Sequence, residues 1–296
     1  MIDYHALKNR RFPEIAARYS ARDTMLYALG VGYGADPTDE RQLDFVYEKN
    51  LRAAPTMAVV LAYPGFWVKE PDTGVDWVRV LHGEQSIVLH RPLPAEGAVL
   101  GRTRVKALVD KGRDKGALIL QEREVRLDSG ELLATVESLS FARGDGGFSE
   151  RPGNGPKGGD PAPSAPPSTP DSPPEIACDL PTAPQSALVY RLSGDFNPLH
   201  AEPAVARAAG FERPILHGLA TYGVAGHAIL RSCCEYDPAR LKALAVRFSA
   251  PVYPGETIRT EIWRKGNDLQ FRARALERDI VVLSHGRAKL AAGMLA

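Results

Sequence analysis

The sequence predicts an α+β protein made of two similar halves, each with an antiparallel sheet wrapped around one buried helix. Three observations support this fold class. A Pro- and Gly-rich stretch divides the 296 residues, the two parts contain similar strand-rich phrases, and each part places an apolar helix candidate before its strands. The same pattern also fits two unrelated α+β domains, and that alternative stays open at this point.

The dividing stretch covers residues 144–175, where half of the 32 residues are Pro or Gly, interleaved with Ser, Asp and Asn. A segment of this composition buries little apolar surface, so we expect a disordered or polyproline II-like linker. The sequence therefore predicts an N-terminal repeat over 1–143 and a C-terminal repeat over 176–296.

The strand pattern of one half is repeated in the other. SIVLHRPLPAEGAVLGRTRV (86–105) and AVRFSAPVYPGETIRTEI (245–262) both run from an apolar strand through a Pro-containing bend to an alternating strand. In DLQFRARALE (268–277) apolar residues alternate with Gln and Arg, which is the period of a half-buried strand. VKALVDKG (105–112) and GALILQEREVRL (116–127) predict a hairpin.

One apolar helix candidate precedes these strands in each half. The candidates are LRAAPTMAVVLA (51–62) and GLATYGVAGHAILRSC (218–233). The second is apolar on nearly all sides, which is typical of a helix buried on every face. Its glycines are unfavourable in a helix interior, so they indicate close packing against another backbone or side chain.

Composition excludes several classes of partner. The formal net charge of +1 gives no indication of a nucleic-acid or anionic-membrane partner, and no stretch has the length and apolarity of a membrane span or signal peptide. The three cysteines form neither a CxxC pair nor a disulfide framework. We therefore expect a cytoplasmic protein without a nucleic-acid or membrane partner.

RLSGDFNPLH (191–200) contains the chemistry of a candidate active site. Asp195 and His200 are an acid and an imidazole that a loop can turn toward one water molecule, because Pro198 disfavours a continuous helix. Asn197 is suited to orient either group or to hold a substrate carbonyl. Taken alone, the motif also fits a polar turn with a solvated histidine.

The sequence gives no clear signal of a metal site or of a nucleophilic serine. No further His or Cys stands at metal-ligand spacing beside this motif, so no metal site is expected. His217 fits either a site or a helix start, and His227 lies within the apolar helix as a core histidine would. No GxSxG nucleophile motif is present.

YRLSGDFNPLH followed by GFERPILHGLATYG, from 190 to 223, resembles the signature of the hydratase 2 family, the MaoC-like (R)-specific enoyl-CoA hydratases with a hotdog fold. RDTMLYALGVG (22–32), FVYE (45–48) and LHGEQ (81–85) extend the resemblance into the first half. It implies two hotdog repeats that form a pseudo-dimer within one chain, as in multifunctional peroxisomal enzymes.

The resemblance implies reversible syn addition of water to a trans-2-enoyl-CoA, which gives a (3R)-3-hydroxyacyl-CoA in fatty acid metabolism such as β-oxidation. Asp195 and His200 become the pair that holds and activates the water, and Asn197 supports them. The backbone N–H of Gly218 becomes the oxyanion donor. No cofactor or metal is implied, because the substrate itself carries coenzyme A.

The resemblance also implies which residues bind the substrate. These are His82, Gly83, Lys111, His217 and Phe248. The non-catalytic N-terminal repeat would thus supply much of the coenzyme A site. We also expect two chains to pair as a homodimer.

The two halves differ at the candidate active site. Aligning SARDTMLYALG with RLSGDFNPLH places Asp23 opposite Asp195 but Ala28 opposite His200, so one active site per chain is expected. Two other functions remain compatible with a hotdog fold. One is an acyl-CoA thioesterase, and the other is a non-catalytic acyl-CoA-binding protein.

Overall fold

The chain forms one ten-stranded antiparallel sheet, in a computed structural model that describes residues 2–292. The strands are β1 (Ile15–Tyr19), β2 (Val80–Leu89), β3 (Gly97–Asp110), β4 (Ala117–Leu127), β5 (Leu132–Ala142), β6 (Ile176–Pro181), β7 (Leu241–Phe248), β8 (Thr257–Lys265), β9 (Asp268–Ala275) and β10 (Ile280–Leu290). They lie in the order β1-β3-β4-β5-β2-β7-β10-β9-β8-β6. From one edge the strands run β1-β3-β4-β5-β2, and from the other edge they run β6-β8-β9-β10-β7, which is the same order of first, third, fourth, fifth and second strand within each half. The predicted α+β repeat is therefore confirmed, and the pairing of β2 with β7 joins its two halves.

Strand patterning decides which side chains enter the core. The predicted hairpin is confirmed, because β3 and β4 pair from Val99 opposite Leu127 to Asp110 opposite Ala117. Along β9 the apolar residues of DLQFRARA are buried at every second position. One face of the sheet therefore packs on the core while the other carries Gln and Arg to solvent.

The helices are fewer and mostly short. They are α1 (Tyr4–Lys8), α2 (Ala21–Gly30), α3 (Glu40–Val46), α4 (Ser186–Tyr190), α5 (Pro203–Ala208) and α6 (Gly218–Cys233). The sequence prediction of α6 is confirmed, and most of its side chains are buried. Among residues 2–292, no helix combines the length and apolarity needed to cross a membrane.

Glycines let α6 pack closely against the first half of the chain. A Cβ atom at Gly223 would lie 2.4 Å from Cγ1 of Val31, and one at Gly226 would lie 2.5 Å from Cγ2 of Thr56. Both distances are too short for non-bonded carbon atoms, so alanine at either position would push the two halves apart. The close packing expected from these glycines is confirmed.

The helix predicted over 51–62 is wrong. The structure has only a 3-10 helix at Pro55–Val59. Pro55 occupies its first turn and Ala62 has a left-handed backbone with φ 47°, so a longer helix is blocked at both ends. In a longer helix the carbonyls of Ala58 and Val59 would accept from N–H groups of the next turn. Here they accept from Nη2 of Arg123 instead, at 3.3 Å and 2.7 Å.

Arg123→Met is expected to lower the free energy of unfolding by about 2–3 kcal/mol, because two buried carbonyls would lose their charged donor. Arg123 is 1% exposed. Urea unfolding measures this change. The matched control is Arg104→Met on neighbouring β3, since Arg104 is an exposed side chain that pairs with Glu122, and its effect should stay below about 0.5 kcal/mol. Equal losses in both variants would contradict the capping role.

The linker is more ordered than its composition indicates. Residues 144–160 fold back on the first half, where Phe148 is fully buried and the Asn154 side chain bonds the backbone of Ile2 and Tyr4. Glycines with a positive φ form the turns of this segment, because glycine adopts that conformation without steric cost. The expectation of a disordered or polyproline II-like linker is therefore wrong for 144–160, which folds into turns, while 161–170 carries no helix or strand.

Candidate functional site

Asp195, Asn197 and His200 lie on the loop between α4 and α5. A 3-10 turn at Arg191–Ser193 ends at Gly194, whose φ of 116° reverses the chain. The side chain of Asn197 then caps a second 3-10 turn, Pro198–His200, by accepting a hydrogen bond from the Leu199 N–H at 3.1 Å. Asn197 thereby fixes the turn that carries His200.

A hydrogen bond fixes the tautomer of His200. Its Nδ1 lies 2.8 Å from the carbonyl oxygen of Ile215. Since a carbonyl can only accept, Nδ1 carries the hydrogen and Nε2 keeps its lone pair. Burial lowers the pKa of His200, which is 8% exposed, so the imidazole is neutral at pH 7. A neutral imidazole with a free lone pair can accept a proton from water.

His217 packs against both His200 and the backbone of Asp195. Its ring stacks on that of His200, with centroids 3.7 Å apart, and its Nε2 donates to the backbone carbonyl of Asp195 at 3.1 Å. Burial, followed by the neighbouring His200, lowers the pKa of His217 to about 4. With 1% of its surface exposed, His217 contacts the Asp195 backbone and His200. Its assignment to substrate binding stays a prediction.

The fold brings together more potential metal ligands than the sequence indicates. Asp195, His200 and His217 each offer a ligand atom, and these atoms lie within 4.8 Å of one another. Sequence spacing missed this cluster because 16 positions separate the two histidines from each other along the chain. That no metal binds there stays a prediction.

Gly218 begins α6 beside this cluster. The preceding His217 occupies the N-cap position without forming a side-chain cap, so the first N–H groups of the helix stay available to a ligand. A Cβ atom at Gly218 would lie 3.2 Å from Cε1 of Phe248, which is tighter than an ordinary contact. Glycine therefore lets the aromatic ring cover the helix start.

Four of the predicted substrate-binding residues line one cavity of about 390 Å³. They are His82, Gly83, Lys111 and Phe248. The rings of His82 and Phe248 are 4.7 Å apart, and Nζ of Lys111 lies 5.4 Å from the Phe141 ring centroid. Because Phe248 also contacts the Gly218 position, this cavity adjoins the start of α6.

Two further groups in the cavity were not singled out from the sequence. Arg247 on β7 and Glu84 on β2 face each other across the junction of the halves, with Nη2 2.6 Å from Oε1. Glu84 lies within LHGEQ, and both residues are directly beside ones that the resemblance selected, Gly83 and Phe248. Residues 163–166 of the linker also line the cavity, and their composition gave no signal of this.

The first half has no equivalent cluster on α2. Asp23 forms a capping box with Ser20, accepting hydrogen bonds from its N–H at 2.9 Å and its hydroxyl at 2.7 Å. Ala28 is fully buried. The position aligned with His200 thus contributes only a methyl group to the core.

Acid is expected to destabilise the protein as the pH falls below about 6.5, because His217 and His227 are buried in the neutral form. Burial lowers the pKa of His227 to about 3 and contributes most to the value of about 4 for His217. Unfolded histidine has a pKa near 6.5, so below this pH the unfolded chain binds more protons. Each such group then removes about 1.4 kcal/mol per pH unit from the free energy of unfolding.

Urea unfolding at several pH values measures this slope. In His227→Gln the slope should be smaller by about 1.4 kcal/mol per pH unit, even if the variant is less stable throughout. An unchanged slope would mean that the pKa of His227 is not lowered by folding.

Comparison with known proteins identifies similar sequences over nearly the whole chain. The MaoC like domain model matches residues 166–284, and the MFE-2 hydratase 2 N-terminal domain model matches residues 18–144. Enoyl-CoA hydratase 2, peroxisomal, of Arabidopsis thaliana is 38% identical over 286 residues, which are 93% of this chain and 91% of that protein.

Solved structures share the same architecture. The MaoC-like dehydratase from Phytophthora capsici superposes with a TM-score of 0.85 at 34% identity, covering 98% of this chain and 99% of that one. A Mycobacterium tuberculosis protein described as having a double hotdogfold superposes with a TM-score of 0.57 at 16% identity, covering 95% and 96%. The predicted two-repeat hotdog fold is confirmed.

Proposed function

The chain belongs to the family of MaoC-like, hydratase 2 type dehydratases, and from this premise we propose that it is an (R)-specific 2-enoyl-CoA hydratase. The reaction is the reversible syn hydration of a trans-2-enoyl-CoA to a (3R)-3-hydroxyacyl-CoA. The observation that supports it most directly is the neutral His200 with a free Nε2 lone pair beside Asp195 and the start of α6.

Asp195 and His200 are suited to hold one water molecule between them. The oxygen of that water forms a bond to C3 while one of its protons passes to the Nε2 lone pair of His200. The electrons of the double bond move toward the thioester, and a proton reaches C2 through the Asp195–His200 pair. The elements of one water are then added across the double bond on one face.

The start of α6 is suited to stabilise the charge that develops on the thioester oxygen. The first N–H groups of a helix have no intrahelical acceptor, and the helix dipole places partial positive charge there. Gly218 occupies the first position. A preorganised donor of this kind typically contributes about 3 kcal/mol to lowering the barrier.

The cavity beside Gly218 is suited to the coenzyme A part of the substrate. Lys111 supplies a cation for a phosphate, and Phe248 with His82 supplies aromatic surface for pantetheine or adenine. The proposed reaction needs no cofactor or metal, because the groups above perform all proton transfers. Its place in fatty acid β-oxidation is part of the proposal.

The function is tested by adding purified protein to crotonyl-CoA and to a longer trans-2-enoyl-CoA. The absorbance of the conjugated thioester should fall, and chiral chromatography of the product should give the (3R) alcohol. Release of free thiol would instead identify a thioesterase. Binding without turnover would identify a non-catalytic acyl-CoA-binding protein.

Location and assembly remain part of the proposal. All three cysteines are free and buried, which is compatible with the cytoplasm, whereas the Arabidopsis relative is named as peroxisomal. We propose a cytoplasmic location. We also propose a homodimer, which light scattering of the purified protein tests directly.

A further inference from the structure

We propose that residues 161–167 of the linker form one wall of the coenzyme A site. This segment, PAPSAPP, is called the proline strap below. The inference rests on the proposed function, because it assigns coenzyme A to the cavity that the strap borders. Neither the composition of the strap nor the family motifs indicate such a role.

The strap lies against the residues that would bind coenzyme A. Pro163, Ser164, Ala165 and Pro166 line the same cavity as His82, Gly83, Lys111 and Phe248. Residues 163–165 are exposed, and as lining residues they present surface to the cavity. The cavity thus has walls from the first half, the second half and the linker.

The segment before the strap is held firmly on the first half. The N–H of Asp160 donates to the Leu108 carbonyl at 2.7 Å, and its carboxylate accepts from the Leu108 N–H at 2.9 Å. The same carboxylate also accepts from Nζ of Lys8 at 2.8 Å and from the Tyr4 hydroxyl at 2.9 Å. These four bonds fix where the strap begins.

The segment after the strap is held on the second half. The indole N–H of Trp263 on β8 lies 2.9 Å from the Ser172 carbonyl and 3.1 Å from the Pro173 carbonyl. The N–H of Glu175 donates to the Ile262 carbonyl at 3.0 Å. The strap therefore crosses from one repeat to the other between two fixed points.

The chemistry of the strap fits the arm of coenzyme A. Four of its seven residues are Pro, so its backbone is stiff, extends about 3.1 Å per residue and offers carbonyl acceptors with few N–H donors. Pantetheine contains two amide N–H groups and adenine an amino group, all of which need acceptors. The rings of Pro163 and Pro166 add apolar surface to the cavity that Phe248 also lines.

The test compares Pro163→Gly/Pro166→Gly with a matched control, Pro152→Gly/Pro156→Gly, which changes two exposed linker prolines outside the cavity. Each variant is assayed with crotonyl-CoA and with the N-acetylcysteamine thioester of crotonate, which lacks the nucleotide and most of pantetheine. We expect the KM for crotonyl-CoA to rise about 5- to 10-fold in the first variant alone, with kcat near the parent value. Its kcat/KM for the short thioester should be unchanged.

An unchanged KM for crotonyl-CoA, or equal loss with both thioesters, would overturn the role of the strap. Equal effects of the control variant would overturn it as well. If the parent protein hydrates neither thioester, the proposed function fails, and the affinity for free coenzyme A, measured by calorimetry, then decides the inference separately. Weaker binding in the Pro163→Gly/Pro166→Gly variant alone supports the strap, and equal binding in all three proteins overturns it.

Discussion

Replacing His200 with alanine is expected to lower kcat for enoyl-CoA hydration by about 10²- to 10⁴-fold. The Nδ1–H of His200 is committed to the Ile215 carbonyl, so Nε2 is the atom that can accept a proton from water. Alanine removes that atom and also the ring that stacks on His217. The loss of crotonyl-CoA absorbance measures the rate, and the KM should change much less than kcat.

A second histidine provides the control for this experiment. His90 is exposed and lies just after β2, where its Nε2 contacts the Thr135 hydroxyl at 3.0 Å. The variant His90→Ala should retain the parent kcat within about two-fold, as surface substitutions generally do. Retention of more than a tenth of the parent rate in His200→Ala would show that another group performs the proton transfer.

Replacing Asp195 with alanine is expected to remove hydratase activity to below about 1% of the parent rate. Asp195 is the acid of the site, and its backbone carbonyl accepts the hydrogen bond from His217. The first half offers no substitute on α2, because Asp23 is engaged with Ser20 and the aligned position is Ala28. A single centre per chain therefore predicts near-complete loss.

Asp23→Ala is the matched control, since it removes the aligned carboxylate from the other half. Its kcat should equal that of the parent, while the lost capping box should cost about 1 kcal/mol of stability, measured by urea unfolding. If Asp195→Ala instead retained substantial activity and the double variant with Asp23→Ala did not, the first half would contain a second centre.

The sequence predicts correctly those elements that depend on residues a few positions apart along the chain. The alternation in DLQFRARA matches the buried face of β9, and the apolar stretch 218–233 matches the buried helix α6. The turn that carries His200 follows from Pro198 and from the capping side chain of Asn197. The candidate Asp195–His200 pair was visible because its members are five residues apart.

The same local signals were misleading where the tertiary environment provides the hydrogen-bond partners. The stretch 51–62 is apolar like α6, yet it forms only one 3-10 turn between Pro55 and the left-handed Ala62, and its last carbonyls are satisfied by Arg123, which is distant in sequence. The linker segment 144–160 is ordered by partners on α1 and β3 that no local pattern identifies.

The sequence by itself determined the two-fold repeat, the strand pattern, α6 and the residue types of the candidate site, because these depend on periodicity and on neighbours a few positions apart. Only the tertiary structure decided that His217 lies beneath His200, that Phe248 covers Gly218, and that the proline strap borders the cavity. These contacts join segments that are separated along the chain, and a periodic pattern carries no information about which distant segment will fill a given space.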